Sequence, residues 1–188
     1  MSITPIISQQ IQQLTVLLHP KYINSFMFVN ETIIEQEAAQ LDAATDNYEA
    51  AIAQLTAEQP QVLAYLFSDA FKMLTKEERA YFLYLGLVIW KAIWVEHKDI
   101  PALDEDTIGR YEERNWEIMD KSSNKKFRER LDVFFEKTPQ EDLLAFIEDS
   151  LVSDADDQED FLTTPGREMI FVGLKTIVDV LLPTNNKK

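Results

Sequence analysis

The sequence predicts an all-α fold, and three observations carry the prediction. All seven prolines fall where an amphipathic segment begins or ends. Only four glycines are present, Gly86, Gly109, Gly166 and Gly173, too dispersed for a phosphate-cradling loop or a nucleophile elbow. Apolar residues recur at spacings of three and four, the period of a helix face, and strand-like alternation bounded by turn residues is missing. The expectation is one compact, bundle-like domain of seven or eight helices over residues 1–183, with 184–188 as a frayed tail.

Thr4-Pro5 reads as an N-cap with proline at the first helical position, and Ile7, Ile11, Leu14 and Leu18 form one stripe that ends near His19-Pro20. A mixed connector, Tyr22 to Val29, follows, with Phe26, Met27 and Phe28 expected to fill the core. Asn30 caps the next helix. From it Ile34, Ala38, Leu41, Thr45, Tyr48, Ile52 and Leu55 form a narrow coiled-coil-like seam, read as one long helix. An intramolecular antiparallel pair with the first helix is the simpler use of that seam, and a homodimer is the alternative.

Thr56-Ala-Glu-Gln59 and Thr75-Lys-Glu-Glu78 both fit the capping box and predict helices near 57–74 and 76–98. The second is apolar almost all round from Tyr81 to Trp90, so other helices should surround it. Gly86 in its middle implies a close crossing, and Trp90 and Trp94 share one face. Ile100-Pro101 breaks the chain before a helix from about Asp104 to Met119, whose first-turn carboxylates suit the helix dipole. Ser122-Ser123 is expected to start the next, with Phe127, Leu131, Phe134 and Phe135 inward. Thr138-Pro-Gln-Glu141 matches N-cap, N1 proline and N3 glutamate ahead of Leu143, Leu144, Ile147 and Leu151. Ser153 to Asp160 reads as an acidic loop. Thr164-Pro165 opens the last helix, striped by Ile170, Leu174, Ile177, Val178 and Leu181 and stopped at Leu182-Pro183.

Composition narrows the chemistry. No cysteine is present, which removes disulfides, thiolate catalysis and Cys-based zinc sites. The longest charge-free apolar run, Ala80 to Trp90, is 11 residues, whereas a membrane span needs roughly 20. Met1-Ser-Ile-Thr-Pro5 has no basic region ahead of an apolar stretch, so a cytoplasmic protein is expected. The net charge of −15 is uneven. Residues 99–120 hold eight acids against Arg110 and Arg114, and residues 138–160 hold nine acids and no base. Such a surface repels nucleic acid and anionic lipid. The basic cluster Lys121, Lys125, Lys126, Arg128 and Arg130 lies between these blocks, where internal pairing accounts for it.

The densest set of candidate ligands is Asp154, Asp156, Asp157, Glu159 and Asp160, an acidic surface for a partner or a hard divalent cation. An EF-hand loop starting at Asp154 fails, with Glu159 at the glycine position and Pro165 at the bidentate glutamate position. Asp156-Asp157-Gln-Glu-Asp160 resembles the aspartate-rich motif of all-helical isoprenoid synthases, which implies magnesium and a diphosphate. The resemblance covers five residues, with no second such motif. Helical metal-dependent phosphohydrolases use acids one turn apart; Glu129 with Asp132, Glu96 with Asp99, and Glu113 with Glu117 have such spacings, without the ordered ExxE and ExxD arrangement. His19 and His97 lack the spacing that puts two ligands on one helix face.

No cofactor is implied. The reading that follows is a non-catalytic, acidic helical interaction module, an adaptor or inhibitor of a partner with a basic surface. The alternatives are a divalent-metal-dependent phosphohydrolase or transferase using clustered carboxylates, and a self-associating structural protein using the Ile34–Leu55 seam.

Overall fold

The computed structural model describes residues 28–122, 126–136, 138–152 and 161–183. The expected helix after Pro5, most of the connector that follows it, the acidic stretch Ser153–Asp160 and the tail 184–188 lie outside the described residues. Within them the chain forms eight α-helices and no strand. These are α1 (Glu31–Ala43), α2 (Thr45–Glu58), α3 (Pro60–Leu66), α4 (Lys76–Glu96), α5 (Glu105–Asp120), α6 (Phe127–Phe135), α7 (Glu141–Leu151) and α8 (Thr164–Leu181), with a short 3-10 turn at Asp69–Phe71. Helices α4 and α8 form the apolar axis. α8 packs on α4, α5 and α7; α1, α2 and α3 pack on α4; α6 bridges α5 and α7. One connected core of buried apolar side chains runs through these helices.

The axis follows from the sequence. Thr75 caps α4 through a complete capping box, its hydroxyl accepting from Glu78 N–H at 3.1 Å while Glu78 Oε2 accepts from Thr75 N–H at 2.8 Å. Leu85 to Trp90 are buried without interruption. The Trp90 and Trp94 rings pack with centroids 4.9 Å apart. Gly86 is where α3 crosses: a Cβ there would stand 3.0 Å from a Leu66 methyl. On α8, Gly173 plays the same part, since its Cβ would meet Phe82 at 2.7 Å and Phe71 at 2.9 Å. Asp104 caps α5, accepting from Thr107 N–H at 2.7 Å. The expected stripe of α8, Ile170, Leu174, Ile177, Val178 and Leu181, is buried throughout.

Five sequence expectations are corrected. The single helix from Asn30 to Leu55 is two, broken at Ala44, whose φ of −162° and ψ of 146° are extended. Asn47 Nδ2 donates to the Gln40 carbonyl at 2.7 Å, taking one of the acceptors left free where α1 ends. Of the seam residues, Ile34, Leu41 and Leu55 are buried in the chain's own core, while Thr45 is exposed. The Thr56–Gln59 capping box does not form. Thr56 Oγ1 instead donates to the Ile52 carbonyl at 2.7 Å inside α2, and the next helix opens at Pro60 and ends at Leu66. Gln59 is fully buried, its Nε2 donating to the Ile100 and Pro101 carbonyls at 3.2 and 3.0 Å and its Oε1 accepting from Leu103 N–H at 3.0 Å.

Ser122 ends α5 rather than starting the next helix. Its hydroxyl donates to the Met119 carbonyl at 3.1 Å, and α6 begins at Phe127. Thr138 is not an N-cap. It accepts from Gln140 N–H at 3.1 Å, α7 opens at Glu141, and Gln140 is the capping residue. The buried Gln140 side chain accepts from Val29 N–H at 3.2 Å, a demand from a distant segment that the local motif does not contain. Phe28 is also not core: it is exposed, and Val29 takes the buried place.

Candidate functional site

The acidic set Asp154, Asp156, Asp157, Glu159 and Asp160 lies outside the described residues. The ExxD and one-turn pairs, Glu129 with Asp132, Glu96 with Asp99, and Glu113 with Glu117, sit on exposed positions. Among the described residues no group of three His, Asp or Glu side chains is close enough to hold a metal ion. His97 is the C-cap of α4; His19 lies outside the described residues.

The basic cluster turns inward in part. Arg128 Nε pairs with Glu148 Oε1 at 2.7 Å, inside the expected acidic neighbour block. Arg130 is buried, paired with Glu168 on α8 and donating to the Met119 carbonyl at 3.1 Å. A second buried polar group joins α5 to α8. Asn115 Nδ2 donates to Thr176 Oγ1 at 3.2 Å and to Asp179 Oδ2 at 3.1 Å, and Lys175 pairs with Asp179 one turn away. Burial pushes the Lys175 ammonium down from its usual range, and Asp179 opposes it. These contacts hold helices together, although Arg130 Nε is buried without a hydrogen bond among the described residues.

Among the described residues, two of the cavities are formed where two helix ridges face one another. The larger, about 390 Å³, is a groove between α1 and α7. Asp142 Oδ2 accepts from Glu31 N–H at 2.9 Å, which ties the N-termini of the two helices together at one end. Glu31, Ile34 and Glu35 form one ridge at i, i+3 and i+4; Asp142, Ala145, Phe146, Asp149 and Ser150 continue that spacing on the other wall. Ile34 and the half-buried Phe146 supply an apolar floor. Four carboxylates surround it, with no basic side chain among the described residues that line it. The helix dipoles offset Glu31 and Asp142 at the tied end. Glu35 and Asp149 stand beyond that first turn, and among the described residues neither is in an ion pair. The groove suits a cationic group with an apolar stem, which would lie on Phe146 with its charge at the rim.

The other, about 250 Å³, lies between α3 and α5. Gln61, Ala64, Tyr65 and Ser68 face Glu105, Ile108, Gly109 and Glu112, two matching ridges at i, i+3, i+4 and i+7. Burial raises the Glu112 carboxyl above the usual carboxylate range, although Tyr65 and Trp116 beside it pull the other way. Burial and the neighbouring Glu112 raise the Tyr65 phenol as well.

The charge blocks around Asp142, Asp149, Glu105 and Glu112 were readable from the sequence. That Glu31 and Glu35 complete the larger groove was not, because its two walls lie 111 residues apart where Asp142 meets Glu31. Among the described residues no helix is long and apolar enough to cross a membrane. No known protein family, curated protein or solved structure matches the chain.

Proposed function

We propose that the chain is a non-catalytic acidic interaction module, an adaptor or inhibitor, that engages a basic protein partner through the α1–α7 groove. The observation that carries this reading is the groove's makeup: four carboxylates and no base around an apolar floor. A lysine or arginine of the partner lays its methylene stem on Phe146 and Ile34 and presents its charge to Glu35 and Asp149. The rest of the negative surface, at a net −15, speeds encounter and makes it salt-sensitive.

The test is binding of a short labelled oligolysine peptide, read by fluorescence anisotropy at low and high salt. The double charge reversal Glu35→Lys/Asp149→Lys should weaken binding about tenfold or more at low salt. The control Asp46→Lys/Glu49→Lys makes the same charge change at exposed positions of α2, outside the groove; it should leave affinity within about twofold. Equal losses in both variants would show that bulk charge, not the groove, attracts the peptide, and would sink the proposal. The metal-dependent alternative rests on residues 154–160. It is tested by melting the protein with and without Mg²⁺, Mn²⁺ and Ca²⁺ and with Asp156→Asn/Asp157→Asn, where a rise for one metal that the variant loses would favour it.

A further inference from the structure

Negative charge does not begin where the chain does. All 33 acids come after residue 30, and the only basic side chains before that point are His19 and Lys21. In a chain of net charge −15, this first stretch carries no carboxylate side chain. It does carry the stripe Ile7, Ile11, Leu14 and Leu18, which needs an apolar surface to lie on. Ser8, Gln10 and Thr15 border that stripe with neutral hydrogen-bonding groups. Residues 1–27 lie outside the described residues, and the point where the chain enters the fold bounds where they can reach.

That entry is the tied end of the α1–α7 groove. Val29 N–H donates to the Gln140 side chain at 3.2 Å, just ahead of α7, and Glu31 N–H donates to Asp142 at 2.9 Å. Phe28, 38% exposed, stands beside them. Apolar surface continues away from it, with Ala145 and Phe146 half-buried on the groove wall. At the other end the Ser150 carbonyl accepts from Tyr81 Oη at 2.9 Å. The exposed Phe161 packs edge-on against that Tyr81 ring, with centroids 5.3 Å apart. One exposed phenylalanine therefore marks each end of a groove whose middle is also apolar.

Other occupants from this protein fit that surface less well. A second copy would bring its own charge of −15 against the four carboxylates of the groove. Residues 153–160 follow α7 but are acidic, and residues 184–188 are basic but hold no apolar side chain. The first stretch combines an apolar stripe with the absence of carboxylates. Lengths agree as well. Residues 5–19 as a helix span about 22 Å, against about 20 Å for the 13 residues of α1. The eight residues 20–27 reach up to about 27 Å, enough to turn the chain back at the tied end.

We propose that residues 5–19 dock as a helix in the α1–α7 groove, antiparallel to α1, as its resting occupant. The stripe lies on Ala145 and Phe146, and Lys21 falls beside Glu31 and Asp142. Opposed helix dipoles favour this direction. Docking does not rest on the basic partner proposed above; it adds that such a partner must displace the chain's own segment.

Paramagnetic broadening of NMR signals in the isotope-labelled full chain tests this, because a chain without cysteine accepts a single nitroxide at a chosen site. Thr32 and Ala39 are exposed and lie seven residues apart on one side of α1, flanking the ridge at Glu35. From Ala39→Cys the broadening should be strongest at residues 5–10, and from Thr32→Cys at residues 15–19. A nitroxide at Glu105→Cys, exposed on α5 and outside the groove, should leave residues 5–19 sharp. Ile11→Ser/Leu14→Ser removes the stripe without changing charge, and it should abolish the broadening while the signals of α1 to α8 persist. The same variant should bind oligolysine about threefold or more tightly, since the segment no longer occupies part of the groove population. Unchanged oligolysine affinity with the broadening pattern intact would uphold docking and count against the basic-partner reading alone. Absence of the two opposed gradients, equal broadening from Glu105→Cys, or broadening retained in Ile11→Ser/Leu14→Ser would each overturn the proposal. So would broadening in a mixture of isotope-labelled and nitroxide-labelled chains, which would put the segment on a second copy.

Discussion

Two places in this molecule are built from the same parts, a glutamate, hydroxyl side chains and a glycine, and they behave in opposite ways. At the junction of α4 and α8, Glu78 is 1% exposed, and its Oε1 accepts from both the N–H and the hydroxyl of Thr163 at 2.7 Å. Its Oε2 accepts from Thr75 N–H at 2.8 Å, so one carboxylate closes the N-termini of two helices at once. Gly166 is glycine because a Cβ there would stand 2.0 Å from Glu78 Oε1. Between α3 and α5, Glu112 is half-buried beside Tyr65, whose hydroxyl makes no hydrogen bond of normal geometry among the described residues, and Gly109 is exposed with nothing near its Cβ position. The first site is locked by short hydrogen bonds and the second is not. Geometry, more than residue type, separates a polar cluster that locks two helices from one that only lies between them.

The sharpest way to break the comparison is at the glycines. Gly166→Ala drives a methyl into the Glu78 carboxylate, and either the carboxylate leaves its donors or α8 shifts. A loss of roughly 3 kcal/mol is expected from urea unfolding, combining overpacking with buried donors left unmade. Removing the obstacle in Glu78→Ala/Gly166→Ala should make the double change cost less than the sum of the two single ones. Additive losses would mean that the contact at Gly166 is not what constrains that residue.

Next in size is the exchange of each carboxylate for an amide. Burial would raise Glu78, but the hydrogen bonds from Thr75 and Thr163 outweigh it and hold its carboxyl below the usual value of 4.5. A depressed folded value means that Glu78 stabilises the fold above pH 4.5, and that this stability is lost as pH falls through the folded value. For Glu112 the sign reverses. Its folded value is raised above 4.5, so the stability it contributes is complete below 4.5 and is lost as pH rises through the raised value. At neutral pH, Glu78→Gln should therefore cost about 2 kcal/mol, because its amide turns N–H groups toward donors. Glu112→Gln should be neutral or slightly stabilising there. Unfolding free energies measured from pH 3 to pH 8 would read both slopes, and a common slope for the two variants would erase the distinction between the sites.

How much of this was legible in the sequence depended on whether a residue's partner was local. The Thr75–Glu78 box formed as read, since both of its halves lie within four residues. The boxes at Thr56 and Thr138 have the same look and failed for one shared reason. In each, a glutamine inside or ending the motif was claimed from far away: Gln59 by the backbone of residues 100–103, and Gln140 by Val29. The long seam from Ile34 to Leu55 kept its period, but periodicity does not report a break at one residue, and Ala44 carries no glycine or proline signal. Gly86 announced a crossing helix because it lies in an apolar run. Gly109 lies in a charged helix, and nothing about its neighbours told whether its missing side chain made room for packing or for a cavity. Asp142, Asp149, Glu105 and Glu112 were visible as parts of acidic blocks; the facing walls and their convergence required the fold.

The smallest expected effect is the one that isolates Gly109. Gly109→Ala adds one methyl at a position where nothing lies within 4 Å. It also removes the conformational freedom that glycine carries in the unfolded chain. If the residue were only an exposed helix position, alanine would improve the protein by about 1 kcal/mol, with no other consequence. That gain should appear as a higher urea midpoint with an unchanged denaturant slope. Gly109 is exposed, so the gain is the expected result, in contrast to the loss at Gly166, where the Glu78 carboxylate occupies the space. A loss in Gly109→Ala instead would show that the facing ridge of α3 closes on that position, and the contrast between the two glycines would fail.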